Sequence, residues 1–237
     1  MTMRMVLTGF LTLVDELLEL KMNNPTINIY RLINPTVFRS QPEMLQLILG
    51  TEPTNREYAS LEFSPSGSFI YNNTIAAANP MLIDRFPAPE TEREAVDAAK
   101  RIISECNQRR NQVNQNLDSP LPDLFREIVT RGAFPIIEER RIVGWNVKFQ
   151  PELRPSTEAI TSPVLNAHIV VTIGAGGRLS RLDYDWLPIE ASEAVERLKG
   201  GYVSVDNQEL DADVVYLREP DKNICAPYLL LTRSTES

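Results

Sequence analysis

Ala167-His168-Ile169-Val170-Val171-Thr172-Ile173-Gly174-Ala175-Gly176-Gly177-Arg178-Leu179-Ser180-Arg181-Leu182-Asp183-Tyr184-Asp185-Trp186 is the stretch from which the fold is read. Its first part is a run rich in β-branched residues, its middle is a glycine turn, and its last part alternates. Residues two apart on a strand face the same way, so Leu182, Tyr184 and Trp186 point to one side and Asp183 and Asp185 to the other. That pattern predicts an antiparallel hairpin with one buried and one solvated face. The glycines read as the turn and not as a phosphate cradle. A dinucleotide fingerprint needs G-x-G-x-x-G opening a helix and a P-loop needs Gly-Lys-Ser/Thr, and here the glycines join two extended runs.

Working outward, Ala191 to Lys199 reads as a helix stopped by Gly200-Gly201, followed by strands near Tyr202–Val205, Ala212–Arg218 and Pro227–Thr232. Upstream, extended runs are expected at Phe134–Val143 and Trp145–Phe149, and a helix at Leu121–Arg131. In the N-terminal half, Thr26–Tyr30 alternates as a short strand, and Gln41–Leu49 reads as a helix. Tyr58–Phe63 and Ser68–Tyr71 flank the turn Ser64-Pro65-Ser66-Gly67 as a second hairpin. Glu90–Cys106 is the strongest helix, with an acidic first turn and Ala95, Ala98, Ala99, Ile102 and Ile103 as its apolar stripe. The polar stretch Gln108–Asp118 reads as a linker. Hairpin, proline connector and helix recur in outline, and Glu94-Ala95-Val96-Asp97 aligns with Glu193-Ala194-Val195-Glu196. The expectation is an α+β protein of two related units, residues 1–112 and 119–237, each a mainly antiparallel sheet with a helix packed on one face.

The chain has 237 residues, 43% apolar and 24% charged, which suits a globular protein with a core. Its net charge of −8 repels phosphate backbones, so nucleic acid is not an expected partner. No apolar run reaches the roughly 20 residues a membrane-spanning helix needs. The start, with Leu11, Val14, Leu17 and Leu18 at helical spacing, reads as an amphipathic helix or a targeting segment; Asp15 and Glu16 stand where a cleavage site would be sought. Cys106 and Cys225 are too few for a zinc cluster, and are either separate apolar residues or a bridge.

Candidate chemistry is sparse. His168 is the single histidine, and any Ser-His-Asp or Cys-His system would have to use it. No Gly-x-Ser-x-Gly elbow accompanies it. Asp183 and Asp185 are the candidate metal or acid/base pair, since like charges on one face attract a hard cation or raise one pKa. Asp211 and Asp213 repeat the spacing, and Glu138-Glu139, followed by Arg140-Arg141, forms a third cluster. The bland reading of all these acids is the wet face of a sheet, and that of Trp145 and Trp186 is core. No catalytic residue and no cofactor is expected.

Pro163 to Val171, Gly176-Gly177-Arg178-Leu179, Leu182 to Ile189 and Ser192-Glu193-Ala194-Val195 together resemble PepSY-like extracytoplasmic modules of bacteria, as do Val214–Leu217 and Ala226–Leu230 in the tail. The resemblance covers roughly the last third of the chain. It implies a binding or inhibitory module that meets a protein or peptide partner at the cell envelope, with a cytoplasmic protein as the alternative. The residues alone leave two other readings: a carboxylate-dependent hydrolase or divalent-cation binder using Asp183 and Asp185, and a structural, oligomer-forming component.

Overall fold

A computed structural model describes residues 27–155, 161–195, 202–204, 210–219 and 222–233. The strands are β1 Ile27–Leu32, β2 Ala59–Phe63, β3 Phe69–Asn73, β4 Ile128–Glu138, β5 Arg141–Leu153, β6 Ser162–Pro163, β7 His168–Ile173, β8 Leu179–Asp185, β9 Ile189–Val195, β10 Tyr202–Ser204, β11 Leu210–Glu219 and β12 Ile224–Arg233. The α-helices are α1 Thr36–Ser40, α2 Pro42–Ile48, α3 Pro80–Ile83 and α4 Glu92–Asn114. The protein is α+β, built on two mainly antiparallel sheets. The helix expected near the N-terminus lies outside the described residues.

Two compact units result, and each draws on separated stretches of chain: 1–31, 152–166 and 190–237 form one, 32–151 and 167–189 the other. The sequence had suggested two consecutive halves, 1–112 and 119–237. Backbone pairing between distant strands draws the division instead.

In the larger unit, strands run in the order β2-β3-β8-β7-β5-β4, every neighbouring pair antiparallel. Side chains on one face are buried: Phe69 and Tyr71, Leu182 and Tyr184, Ile169 and Val171, Val147 and Phe149. Helix α4 covers that face. Its stripe of Ala95, Ala98, Ala99, Ile102 and Cys106 is buried, and the helix lies along β4 and β7. Thr91 starts it with a capping box in which its hydroxyl accepts from the Glu94 N–H and the Glu94 carboxylate accepts from the Thr91 N–H. Backbone N–H groups of Glu90 and Thr91 hold the Glu94 carboxyl below its ordinary pKa. The stabilisation this adds is therefore present above the unfolded carboxyl pKa and lost as pH falls through the lower folded value.

Three expectations are corrected here. The polar stretch Gln108–Asp118 is not a linker at its start, because α4 continues to Asn114. Arg109 anchors the extra turns, bonding the Ile48 carbonyl at 3.2 Å and Glu105 at 2.9 Å. Leu121–Arg131 is not helical. Pro120 and Pro122 interrupt it, Asn114 holds both the N–H and the C=O of Leu121 at 2.8 Å, and Glu127 has φ +57°, after which β4 begins. The expected run Phe134–Val143 is broken by a two-residue hairpin turn at Glu139 and Arg140, both with positive φ.

In the smaller unit, β11 pairs with β12 along ten residues, while β1 and the parallel β10 share the other side of β12, and β9 pairs β1. Asn166 caps an edge as a backbone mimic, its amide donating to the Arg218 carbonyl at 2.8 Å and its carbonyl accepting the Arg218 N–H at 2.7 Å. The helix expected over Ala191–Lys199 is replaced, as far as it is described, by the strand Ile189–Val195. Pairing with β1 outweighs helix preferences worth about 0.5 kcal/mol per residue. The outline repeat of hairpin, connector and helix therefore ends in different elements in its two copies.

Cys106 and Cys225 are both free and fully buried. Burial pushes the Cys106 thiol up to about 12 and raises that of Cys225 as well. The thiolate is the reactive form, so a thiol reagent at mildly alkaline pH is expected to find no reactive cysteine in the folded protein and both after denaturation without reductant. A result of none after denaturation would show a bridge.

Candidate functional site

On the face of the larger sheet opposite α4, Phe134, Lys148 and Arg181 are exposed, and the segment around Ala78 covers the end of that face at Gly144. The alternation seen in the sequence determines what the face displays. Asn146 and Lys148 on β5, His168, Val170 and Thr172 on β7, and Arg181, Asp183 and Asp185 on β8 all project there, between the buried residues of the same strands. Register sets their neighbours. Phe134 pairs with Asn146, Asn146 with Thr172 and Thr172 with Arg181 in one row; Lys148 pairs with Val170 and Val170 with Asp183 in the next.

These two rows form a shallow dish of about 440 Å³, whose lining includes Phe134, Ile136, Lys148, Thr172, Arg181 and Asp183. Phe134 is 58% exposed at its rim. Thr172, on the floor, donates its hydroxyl to the Asn146 side-chain oxygen at 2.8 Å. Among the described residues, Lys148, Arg181 and Asp183 make no ion pair within 4.0 Å.

One strand step along β8, Asp185 serves a different group. Its Oδ1 accepts from the Ser68 hydroxyl at 2.8 Å, and its Oδ2 lies 3.9 Å from His168 Nδ1. Ser66 Oγ is 3.0 Å from Ser68 Oγ and 2.8 Å from Ser64 Oγ, so three hairpin hydroxyls lead to this carboxylate. Serine, histidine and aspartate thus meet, but with the carboxylate between the other two. In a nucleophilic triad the imidazole takes the middle place and receives the serine proton. Here the Ser68 hydroxyl donates its hydrogen bond to Asp185 and not to the imidazole.

The structure places the predicted pair Asp183 and Asp185 on one face, Cα atoms about 6.7 Å apart from strand geometry. Their side chains turn to separate surroundings, Asp183 to the dish and Asp185 to Ser68 and His168. Among the described residues no group of three or more His, Cys, Asp and Glu is placed to hold a metal ion. The side chains of Asp211 and Asp213 lie outside the described residues. Glu138 and Glu139 are exposed at the β4–β5 turn, and Arg141 beside them pairs with Asp84 at 2.7 Å, which raises the already high pKa of its guanidinium. Trp145 and Trp186 are core, the Trp145 indole N–H donating to the Pro89 carbonyl at 2.8 Å. Ser68, Lys148, Arg181 and Phe134 were not singled out from the sequence. The local signal for Arg181 is the same alternation, on the same strand, that marks Asp183 and Asp185, and for Lys148 and Phe134 it is the alternation of β5 and β4.

Among the described residues no helix is long and apolar enough to cross a membrane. No protein-family model, no curated protein and no solved structure matches the chain.

Proposed function

We propose that the protein is a non-enzymatic binding or regulatory protein whose partner, a protein or peptide, lies on the open face of the larger sheet. The observation that carries this reading is the dish itself: a concave stretch of sheet with an exposed aromatic at the rim and exposed Lys148 and Arg181 side chains that make no ion pair within the described structure. Exposed aromatic residues next to polar groups are the usual anchors of protein contacts. The hydrolase or cation reading is less well supported, because Asp185 is engaged by Ser68 and does not converge with Asp183. The PepSY-like resemblance extends the proposal to a place at the bacterial cell envelope.

A photo-crosslinking residue placed at Phe134 is expected to give a polypeptide adduct of discrete mass in cells of the source organism. The same residue at Met81, 82% exposed, serves as the control. Adducts at neither position, or equally at both, would count against the face as a binding surface.

A further inference from the structure

We infer that the dish receives an extended acidic peptide, whose carboxylate sits between Lys148 and Arg181 while a neighbouring apolar side chain covers Phe134. The inference rests on the proposed binding role of this face and names its ligand. The protein carries a net charge of −8, yet the dish holds two cations, Lys148 and Arg181, against the single carboxylate of Asp183. Lys148 on β5 and Arg181 on β8 flank β7 from opposite sides and stand one row apart, so their Cα atoms are two strand spacings apart across the sheet and two residues apart along it, roughly 12 Å. A carboxylate above Thr172 lies within reach of both long side chains.

A third donor is already oriented. The Asn146 side-chain oxygen is occupied by the Thr172 hydroxyl, so the Asn146 amide presents its N–H groups outward, into the dish. The ammonium, guanidinium and amide N–H groups together outnumber the one carboxylate of the dish, Asp183, which suits an anion. Charge-assisted bonds from Lys and Arg to a carboxylate are the strong kind, and the planar Arg fork is shaped for it.

The apolar end sets the ligand's second feature. Phe134 stands two strand spacings from Thr172 along one row, again about 10 Å. An extended chain covers that distance in about three residues. The fitting sequence therefore has an aromatic or aliphatic residue two to three positions from Asp or Glu. A free small acid would leave the Phe134 end empty.

The test uses the full chain and a short fluorescein-labelled peptide with a phenylalanine three residues from a pair of glutamates, together with copies carrying glutamines or lysines instead. The acidic peptide is expected to bind by anisotropy, more weakly as salt rises. Combining Lys148→Glu with Arg181→Glu is expected to weaken it by about tenfold or more and to favour the lysine peptide. Phe134→Ala is expected to weaken both the acidic and the glutamine peptide. All three positions are surface side chains, and an unchanged thermal melt confirms that the variants fold.

Equal binding of the glutamine peptide, or indifference to charge reversal, would overturn the acidic specificity. Backbone-amide shifts confined to β5, β7 and β8 in that case would leave the face as a binding surface. Equal affinity for free glutamate would overturn the peptide and leave a small-anion site. No binding by any peptide overturns this inference, while the crosslinking result at Phe134 decides the broader reading separately.

Discussion

Tyr184→Ala is expected to cost about 3–5 kcal/mol, the usual range for truncating a large buried aromatic. Tyr184 is fully buried, stacks on Phe69 with ring centroids 4.7 Å apart, and meets Phe38 and Phe125 edge-on at 6.2 and 6.3 Å. Its hydroxyl donates to the Leu124 carbonyl at 2.8 Å. Tyr184→Phe keeps the ring and orphans that buried carbonyl, so its expected cost is smaller, about 1–3 kcal/mol. Urea unfolding of both variants checks the pair. If the two cost the same, the packing attributed to the ring is wrong. The effect reaches the dish, because Tyr184 lies between Asp183 and Asp185 and its anchoring keeps both carboxylates on the open face.

Gly174→Ala has the second large effect, about 3 kcal/mol, at the upper end of overpacking costs. A Cβ at this position would lie 1.9 Å from the Ala76 carbonyl oxygen and 2.9 Å from both the Ala77 carbonyl carbon and the Ala78 nitrogen. All three are backbone atoms, so no side-chain rotation relieves the clash. Gly176 is the control. It has φ +67°, but its nearest neighbour would be Phe86 Cβ at 3.6 Å, so alanine there meets only the left-handed penalty of roughly 1–2 kcal/mol. A midpoint for Gly174→Ala equal to that for Gly176→Ala would show that the chain does not approach Gly174 closely. The glycine turn thus serves two purposes: Gly176 supplies the bend, and Gly174 lets another segment pass.

Much of the secondary structure was legible. Both expected hairpins, around Gly67 and around Gly176, are present, as are the helix from residue 92 and the three C-terminal strands. Each rests on local features: alternation, a turn glycine, an acidic helix start. Two of the misreadings fall where tertiary contacts outweigh local preference. The segment Ile189–Val195, rich in Glu and Ala, is a strand because β1 offers it a pairing edge. Gln108–Asn114, polar enough for a linker, is helix because Arg109 ties it to the end of α2.

Which side chains share a face follows from residue order alone, because the two-residue period of a strand is a property of the backbone. Leu182, Tyr184 and Trp186 are buried and Asp183 and Asp185 are not, as their order in the chain requires. Only the tertiary structure decided which faces adjoin. Ser68 reaches Asp185 across 117 positions, and Asn146 and Arg181 flank Thr172, through the register of strands distant in sequence. Strand register is a cooperative outcome of the whole sheet, and no short stretch of residues carries it.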